Sequence, residues 1–313
     1  MKTSNTIRYK LEYWGLLFIV VPWYYLPRQI SLALGSALGW IVAHILPIRR
    51  SVVESNLRRA FPHKSPREIN KLTINTYRHF GRMIADFVRQ DRYSASEMRK
   101  MVTMENRELL ENAIADDSGA VLLLGHFGNW EIFGRWLGFQ QDFQSVALER
   151  PQNNPFVSDF ITTKRKVGNL NMMSIFESTA SFLSVLQDGK VLMMLADQDA
   201  RKRGAFVDFF DIPSSTPRGA AVFAHRVKAP VILVFPIMRP DKTYHFIFEE
   251  LTYSGITNGN AVNYILQQYM KRLQFHVSQH PEQYFWFHRR WKTQPAKQSA
   301  TDSVAPSLAG AAG

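Results

Sequence analysis

Val121-Leu-Leu-Leu-Gly-His126-Phe-Gly-Asn-Trp-Glu131 is the stretch from which the fold can be read. The unbroken apolar run from Ala120 to Leu124 reads as a short strand buried on both faces, as in parallel sheets. Gly125 permits a sharp exit, and Asn129 is a good helix cap. The spacing predicts a strand at Ala120–Leu124, a turn, and a helix from Asn129 to Gly138. His126 and Glu131 are five positions apart, about 140° on one regular helix. They converge only if His126 lies in the turn and Glu131 in the first turn of the helix. That site is the carboxyl end of a strand, where open α/β sheets place their ligands.

Outward from this stretch the alternation continues. Ser145–Leu148, Val191–Ala196, Val231–Ile237 and Tyr244–Glu249 read as strands, and Pro155–Val167, Thr179–Gln187, Arg218–Val227 and Asn260–His280 as helices. Strands alternating with helices argue for an α/β domain with a mainly parallel sheet flanked by helices. The tail from Ala296, rich in Ala, Ser and Gly, reads as disordered. Upstream, Ser51-Val-Val-Glu54 reads as a capping box, and Ser65-Pro66-Arg67-Glu68 as a stronger one with proline first in the helix. Ile69, Leu72, Thr76, Phe80, Ile84 and Phe87 then recur at helical intervals, opposite Arg67, Lys71, Arg78, Arg82 and Arg89. A basic face of that kind is solvated in most proteins; here it is also placed to touch lipid headgroups.

Between Glu12 and Arg28 lie fifteen uncharged residues, and between Arg28 and Arg49 twenty more. As a helix the second stretch reaches about 30 Å, the thickness of a bilayer core, although Ser31, Gly35, Ser36, Gly39 and His44 dilute its hydrophobicity. Pro22 and Pro27 interrupt the first stretch, whose Trp14, Trp23, Tyr24 and Tyr25 suit the headgroup level. Two readings fit: a pair of buried helices in a soluble protein, or membrane attachment by one span or a shallow re-entrant helix. Aromatic residues and basic flanks together favour an N-terminal membrane-attachment helix. The expected division is a membrane anchor or interfacial helices over residues 1–50, a folded domain over 51–295 and a loose tail over 296–313.

Composition agrees with a globular chain. Of 313 residues, 46% are hydrophobic and 20% charged, which excludes a disordered or fibrous protein. Cysteine is absent, which removes disulfide scaffolds, thiol nucleophiles and cysteine-ligated metals. The formal net charge of +12 points to an anionic partner. Residues 1–100 hold 17 basic and 6 acidic side chains, whereas the other 213 residues are nearly balanced, at 21 and 20. A basic third that is also strongly apolar suits an acidic membrane surface better than nucleic acid. Zinc-finger, RRM and basic-zipper signatures are missing, and no nucleic-acid partner is expected.

An imidazole held by a carboxylate is a general base. With no cysteine and no G-x-S-x-G elbow, the proton that His126 would take belongs to a substrate hydroxyl. The same residues also fit a surface histidine beside a helix-capping glutamate. Metal binding has less support, because neither H-E-x-x-H nor another close histidine cluster is present.

His126-Phe-Gly-Asn-Trp-Glu131 resembles the H-x4-D/E motif of glycerolipid-type acyltransferases. The wider likeness is to the late acyltransferases of lipid A biosynthesis, the lauroyl and myristoyl transferases acting on Kdo2-lipid IVA. Glu149-Arg150-Pro151-Gln-Asn-Asn-Pro155 is similar to that family's R-P-x-N-x-P block, with Arg165 where its following arginine falls. Asp197-Gln198-Asp199 resembles its D-x-D element. Pro281-Glu-Gln-Tyr-Phe-Trp-Phe-His288-Arg289-Arg290 is similar to its C-terminal signature. The likeness spans roughly residues 10–295. Enzymes that acylate other glycolipids, such as phosphatidylinositol mannosides, share the H-x4-D/E core.

The resemblance implies a glycerolipid-acyltransferase-like fold and acyl transfer from an acyl carrier protein or CoA thioester to a lipid hydroxyl. His126 would act as general base and Glu131 as its partner. The acceptor's phosphates and carboxylates would be met by Arg150 and Arg165, then by Arg289 and Arg290, since guanidinium forks bind such groups bidentately. The last two arginines fit equally well as covers for Trp286, Phe287 and Trp291. Asp197 would position an arginine or line the pocket, or serve only as a loop cap. Neither a metal nor a bound cofactor is required. The expected partners are acyl carrier protein and an anionic lipid acceptor, at the cytoplasmic face of a bacterial inner membrane. Within enzymes the rival is an acyltransferase for another glycolipid or a lysophospholipid; outside them it is a non-catalytic membrane-bound scaffold.

Overall fold

Numbered along the chain, the strands are β1 (Val102–Glu105), β2 (Ala120–Leu124), β3 (Ser145–Glu149), β4 (Leu170–Ser174), β5 (Val191–Leu195), β6 (Ala205–Phe209), β7 (Ile212–Thr216), β8 (Val231–Met238) and β9 (Tyr244–Glu250). Seven of them form one sheet in the order β1-β9-β8-β2-β5-β3-β4, in which only β8 and β9 run antiparallel to each other. Strands β6 and β7 form a separate hairpin. The structure, a computed structural model, describes residues 3–115, 119–256 and 260–295. The tail from Ala296 therefore lies outside the described residues.

The helices are α1 (Thr3–Tyr25), α2 (Arg28–His44), α3 (Arg50–Ala60), α4 (Pro66–Arg89), α5 (Ala95–Met101), α6 (Glu108–Ile114), α7 (Trp130–Gly138), α8 (Pro155–Arg165), α9 (Thr179–Gln187), α10 (Gly219–Val227) and α11 (Ala261–Gln279). Strand β2 is buried along its whole length because layers cover both of its faces. Val121 and Leu123 join a core with α10 and α11, while Leu122 and Leu124 pack with Ile132 and Phe133 of α7. From β2 the chain crosses through α7 to β3 on one side. From β5, beside β2, it returns through α10 to β8 on the other. The carboxyl ends of β2 and β5 therefore flank the point where the winding reverses, the crevice in which such sheets bind ligands.

The five strands and five helices read from the sequence of this half are present, with ends shifted by at most two residues. Four strands were missed. β1 and β4 are short edge strands without an apolar run, and β6–β7 turns at Phe210 and Asp211, both at positive φ. The capping box at Ser65 forms, with Glu68 returning to the Ser65 backbone N–H at 2.8 Å. The one at Ser51 does not: α3 begins a residue earlier, and Glu54 pairs with Arg50 at 2.9 Å. On α4, Ile84 is exposed, whereas Arg89, expected on the solvated face, is buried and donates to the backbone carbonyls of Trp23, Tyr24 and Leu26 at the end of α1.

The N-terminal helices depart from the expectation of a span. Helix α1 runs through Pro22 and stops only before Pro27. The small residues of α2 do not merely dilute it. Ser31, Gly35, Ser36, Gly39 and Ala43 form its buried face against α4, where a side chain on Gly35 would strike the carbonyl of Gly81 at 2.4 Å. Among the described residues no helix is long and apolar enough to cross a membrane. Instead, one face of α1 (Ile7, Leu11, Trp14, Phe18, Val21, Tyr25) and one of α2 (Ile30, Leu34, Leu38, Ile41) are exposed at helical spacing.

Candidate active site

His126 leaves the carboxyl end of β2 and Asp197 the carboxyl end of the adjacent β5. Asp197 is buried. Its Oδ1 lies 2.6 Å from the imidazole Nδ1, and its Oδ2 accepts the His126 backbone N–H at 2.9 Å. Burial favours the neutral acid, but His126 and the nearby guanidinium of Arg290 outweigh it and hold the Asp197 carboxyl below its ordinary pKa. An ionised carboxylate only accepts, so Nδ1 carries a hydrogen, and in the neutral ring Nε2 is the acceptor. The Gln198 side-chain amide lies 3.2 Å from that Nε2 and donates to it. Trp130 and Phe285 close around the ring at centroid distances of 5.1 and 5.9 Å.

The sequence reading joined His126 to Glu131. The structure corrects the contact: the imidazole meets Asp197, and Glu131 turns to Arg165. The Arg165 Nε and a terminal N–H reach the two Glu131 oxygens at 3.0 and 2.6 Å, and the other terminal N–H reaches Glu149 at 3.1 Å. Burial works against the Arg165 charge, but Glu131 and Glu149 outweigh it and raise its pKa. Physically, Glu131 sits in the first turn of α7, where it faces β3 and the end of α8, while the imidazole faces the neighbouring β5. Spacing along the chain could not reveal this, because Asp197 follows β5 and Arg165 ends α8, both distant in sequence. The clue available was Asp197 directly after an apolar strand, the same position that His126 holds after β2.

The turn itself is shaped by Gly128 rather than Gly125. Gly128 has φ of 63°, and a Cβ there would lie 1.9 Å from the Pro236 carbonyl oxygen. Gly125 is instead pressed by Leu273, 2.8 Å from where its Cβ would be. Asn129 caps α7 by accepting the Ile132 N–H at 3.1 Å, and its amide donates to the Tyr244 hydroxyl at 2.9 Å. That hydroxyl hydrogen-bonds Asp86, which is paired in turn with Arg28 at 3.0 Å. His79 donates to the Gly128 carbonyl at 3.1 Å, and burial pushes its pKa down to about 4, so it is neutral.

The C-terminal signature braces both turns. The Gln283 carbonyl accepts the Gly128 N–H and the Phe285 N–H donates to the His126 carbonyl, each at 2.9 Å. His288 Nε2 accepts the Asp199 N–H at 2.9 Å. Arg290 is fully buried and donates to Ser215 and Thr216 of β7 at 2.8 and 2.6 Å, over the Phe209 ring. It thus fixes the hairpin and faces no space in which a lipid headgroup would fit. Arg289 is exposed and outside the cavity wall.

His126, Glu131, Arg150 and Arg165 all line one cavity of about 670 Å³. Arg150 is exposed, and the polar lining also includes Glu149, Gln198 and Asp199. The rest of the wall is mainly apolar, with Leu148, Leu170, Met172, Phe182, Met194 and Phe223. Among the described residues no group of acidic or histidine side chains could hold a metal ion. A basic nitrogen thus faces a pocket that suits a ligand with one charged and one greasy half.

Residues 1–293 match a family described as bacterial lipid A biosynthesis acyltransferase. The chain belongs to this family. It is 26% identical over 297 residues to a lipid A biosynthesis palmitoleoyltransferase of Escherichia coli (strain K12), covering 94% of each chain. Identity is 25% over 289 residues to a lipid A biosynthesis lauroyltransferase of the same organism, 90% of each. A phosphatidylinositol mannoside acyltransferase of Mycobacterium tuberculosis is 26% identical over 224 residues, 63% of this chain and 69% of that one. The protein is an O-acyltransferase for lipid A or a related glycolipid.

Proposed function

We propose that this acyltransferase moves a fatty acyl chain from an acyl carrier protein thioester to a hydroxyl of a lipid A precursor, with His126 as general base. The observation that carries the reading is the His126–Asp197 pair, whose ring lines a cavity walled by both polar and apolar side chains. The acyl chain packs against the apolar lining. The acceptor hydroxyl displaces the Gln198 amide from Nε2 and gives up its proton there as its oxygen attacks the thioester carbonyl. The tetrahedral oxyanion collapses, the C–S bond breaks, and the imidazolium returns the proton to the leaving thiolate. Ester and free thiol are the products. Base assistance of this kind supplies on the order of 10²–10⁴ in rate.

Asp197, rather than Glu131, orients the base in this scheme. Glu131 and Arg165 form the wall beside it, and Arg150 is the exposed cation for an acceptor phosphate. The enzyme rests on the cytoplasmic face of the inner membrane through the exposed apolar faces of α1 and α2, a patch of the kind that marks membrane contact. The mannoside-acylating relatives support a second reading, acylation of another glycolipid. The two separate when purified protein is given Kdo2-lipid IVA, a mannosylated phosphatidylinositol or a lysophospholipid with acyl carrier protein thioesters, and the products are weighed by mass spectrometry. Turnover on the lipid A precursor, lost in His126→Ala, is the expected result. No turnover on any acceptor would favour a scaffold.

A further inference from the structure

A second cavity, of about 390 Å³, lies between α2, α4 and the turn joining β8 to β9. Arg28, Arg78, Arg82 and Lys242 line it, with Asp241 as its only carboxylate. Arg28 is spoken for by its bidentate bond to Asp86. The other three cations make no ion pair among the described residues: Arg78 reaches only the Ser36 hydroxyl, at 3.1 Å, and Asp241 is occupied by Thr243. Arg78 and Arg82 stand one turn apart on α4, so their charges repel, an arrangement that costs stability unless an anion is present. Leu32, Ala33 and Ala37 of α2 add apolar lining, beside Gln29 and Ser36. One position along α2 from these residues begins its exposed apolar face of Ile30, Leu34 and Leu38.

We infer that this cavity is a binding site for the phosphate of an anionic membrane lipid, separate from the catalytic cavity, that sets how the enzyme sits on the bilayer. It shares no lining residue with the cavity of His126. Three cations without an ion pair against a single lining carboxylate, with apolar lining beside an exposed apolar helix face, match a headgroup whose phosphate enters while its tails stay with the helix. Soluble phosphate offers the same charge but gains nothing from the apolar lining. The inference rests on the membrane attachment proposed above.

The test is co-sedimentation of the full chain with phosphatidylcholine vesicles, with and without phosphatidylglycerol. Wild type is expected to bind the mixed vesicles more tightly. Arg78→Gln/Arg82→Gln should lose that increment, on the order of tenfold, and keep its binding to pure phosphatidylcholine. Arg78→Lys/Arg82→Lys should retain most of it. The glutamine variant relieves repulsion, so its melting temperature without lipid should not fall. The site is overturned if the variant keeps the increment, or if Arg99→Gln/Lys100→Gln on α5 loses as much. Inorganic phosphate abolishing the increment at equal phosphate concentration would overturn the lipid in favour of a soluble ligand. Loss of acyl carrier protein binding in the glutamine variant, with vesicle binding intact, would reassign the patch to that protein. Wild type ignoring every vesicle would remove the membrane attachment itself and this site with it.

Discussion

Asp197 grips His126 at two points: Oδ1 takes the ring Nδ1 hydrogen at 2.6 Å, and Oδ2 takes the backbone N–H at 2.9 Å. One carboxylate thus fixes the tautomer and the position of the turn that carries the ring. Because the two residues follow adjacent parallel strands in register, the sheet sets their separation. An imidazole fixed in this way needs little reorientation to serve as the base proposed above.

Asp197→Asn should therefore lower kcat on the order of 10²–10⁴ while KM and the melting temperature change little. The amide fills the same space but no longer enforces the productive tautomer. Glu131→Gln leaves the ring's partner in place and should cost kcat less. Steady-state kinetics on both variants decide the matter: if the Glu131 change silences the enzyme and the Asp197 change does not, the base is not held as described.

Arg165 carries a different duty. Its guanidinium neutralises Glu131 and Glu149, whose side chains are 8% and 10% exposed. Arg165→Ala leaves two nearly buried carboxylates facing each other and should destabilise the fold by about 3 kcal/mol. Arg165→Lys should recover only part of this, since one ammonium cannot reproduce the fork. Urea unfolding of the three proteins measures it, and an alanine variant as stable as wild type would show that the pair carries no structural weight.

Gly128→Ala tests the turn. The residue sits at φ 63°, and its new methyl would meet the Pro236 carbonyl oxygen at 1.9 Å. Left-handed backbone alone costs about 1 kcal/mol for a non-glycine residue, and the clash forces the His126 turn away from β8. Both stability and turnover should fall together, whereas Gly255→Ala, also at positive φ but with open space around it, should cost stability only.

How much of this was legible in the sequence depends on the range of the interactions involved. The β2 strand and the helix after it could be read because burial on both faces demands an apolar run, and Asn129 marks the helix start within a few residues. His126 stood out for the same local reason. Its true partner did not, since Asp197 is 71 positions away and only the β2–β5 register brings the two together. The role of Arg290 was hidden similarly: its contacts with Ser215 and Thr216 depend on where the hairpin folds. Along α2 the small residues diluted a hydrophobic stretch on paper. Only the partner helix shows them to be a packing face.

His79 provides a pH test. Its folded pKa of about 4 lies below the ordinary value of 6.5, so between those values the unfolded chain takes up a proton that the folded protein refuses. Its contribution is complete above pH 6.5 and shrinks as pH falls towards 4, by up to about 3 kcal/mol. His79→Gln keeps a donor for the Gly128 carbonyl and removes the titration. Urea midpoints at pH 7 and pH 4.5 should then differ less in the variant than in wild type. An identical loss in both would place the acid sensitivity elsewhere.

The apolar wall of the large cavity bears on chain length. Gly134 lies on α7 in the cavity wall, and a Cβ there would meet only the Leu170 side chain, at an ordinary 3.6 Å. The backbone therefore accepts a larger residue, and Gly134→Leu directs an isobutyl group into the space assigned to the acyl tail. Shorter acyl donors should lose little kcat/KM, while longer ones should lose on the order of tenfold or more, as expected when a few methylenes can no longer be buried. The stability change should be small, because the new side chain fills a void rather than displacing core atoms. Competition between donors of different length, read by the mass of the product lipid, reports the shift. An unchanged product profile from a folded Gly134→Leu enzyme would mean that the tail lies outside this cavity, and the apolar wall from Leu148 to Phe223 would need another occupant.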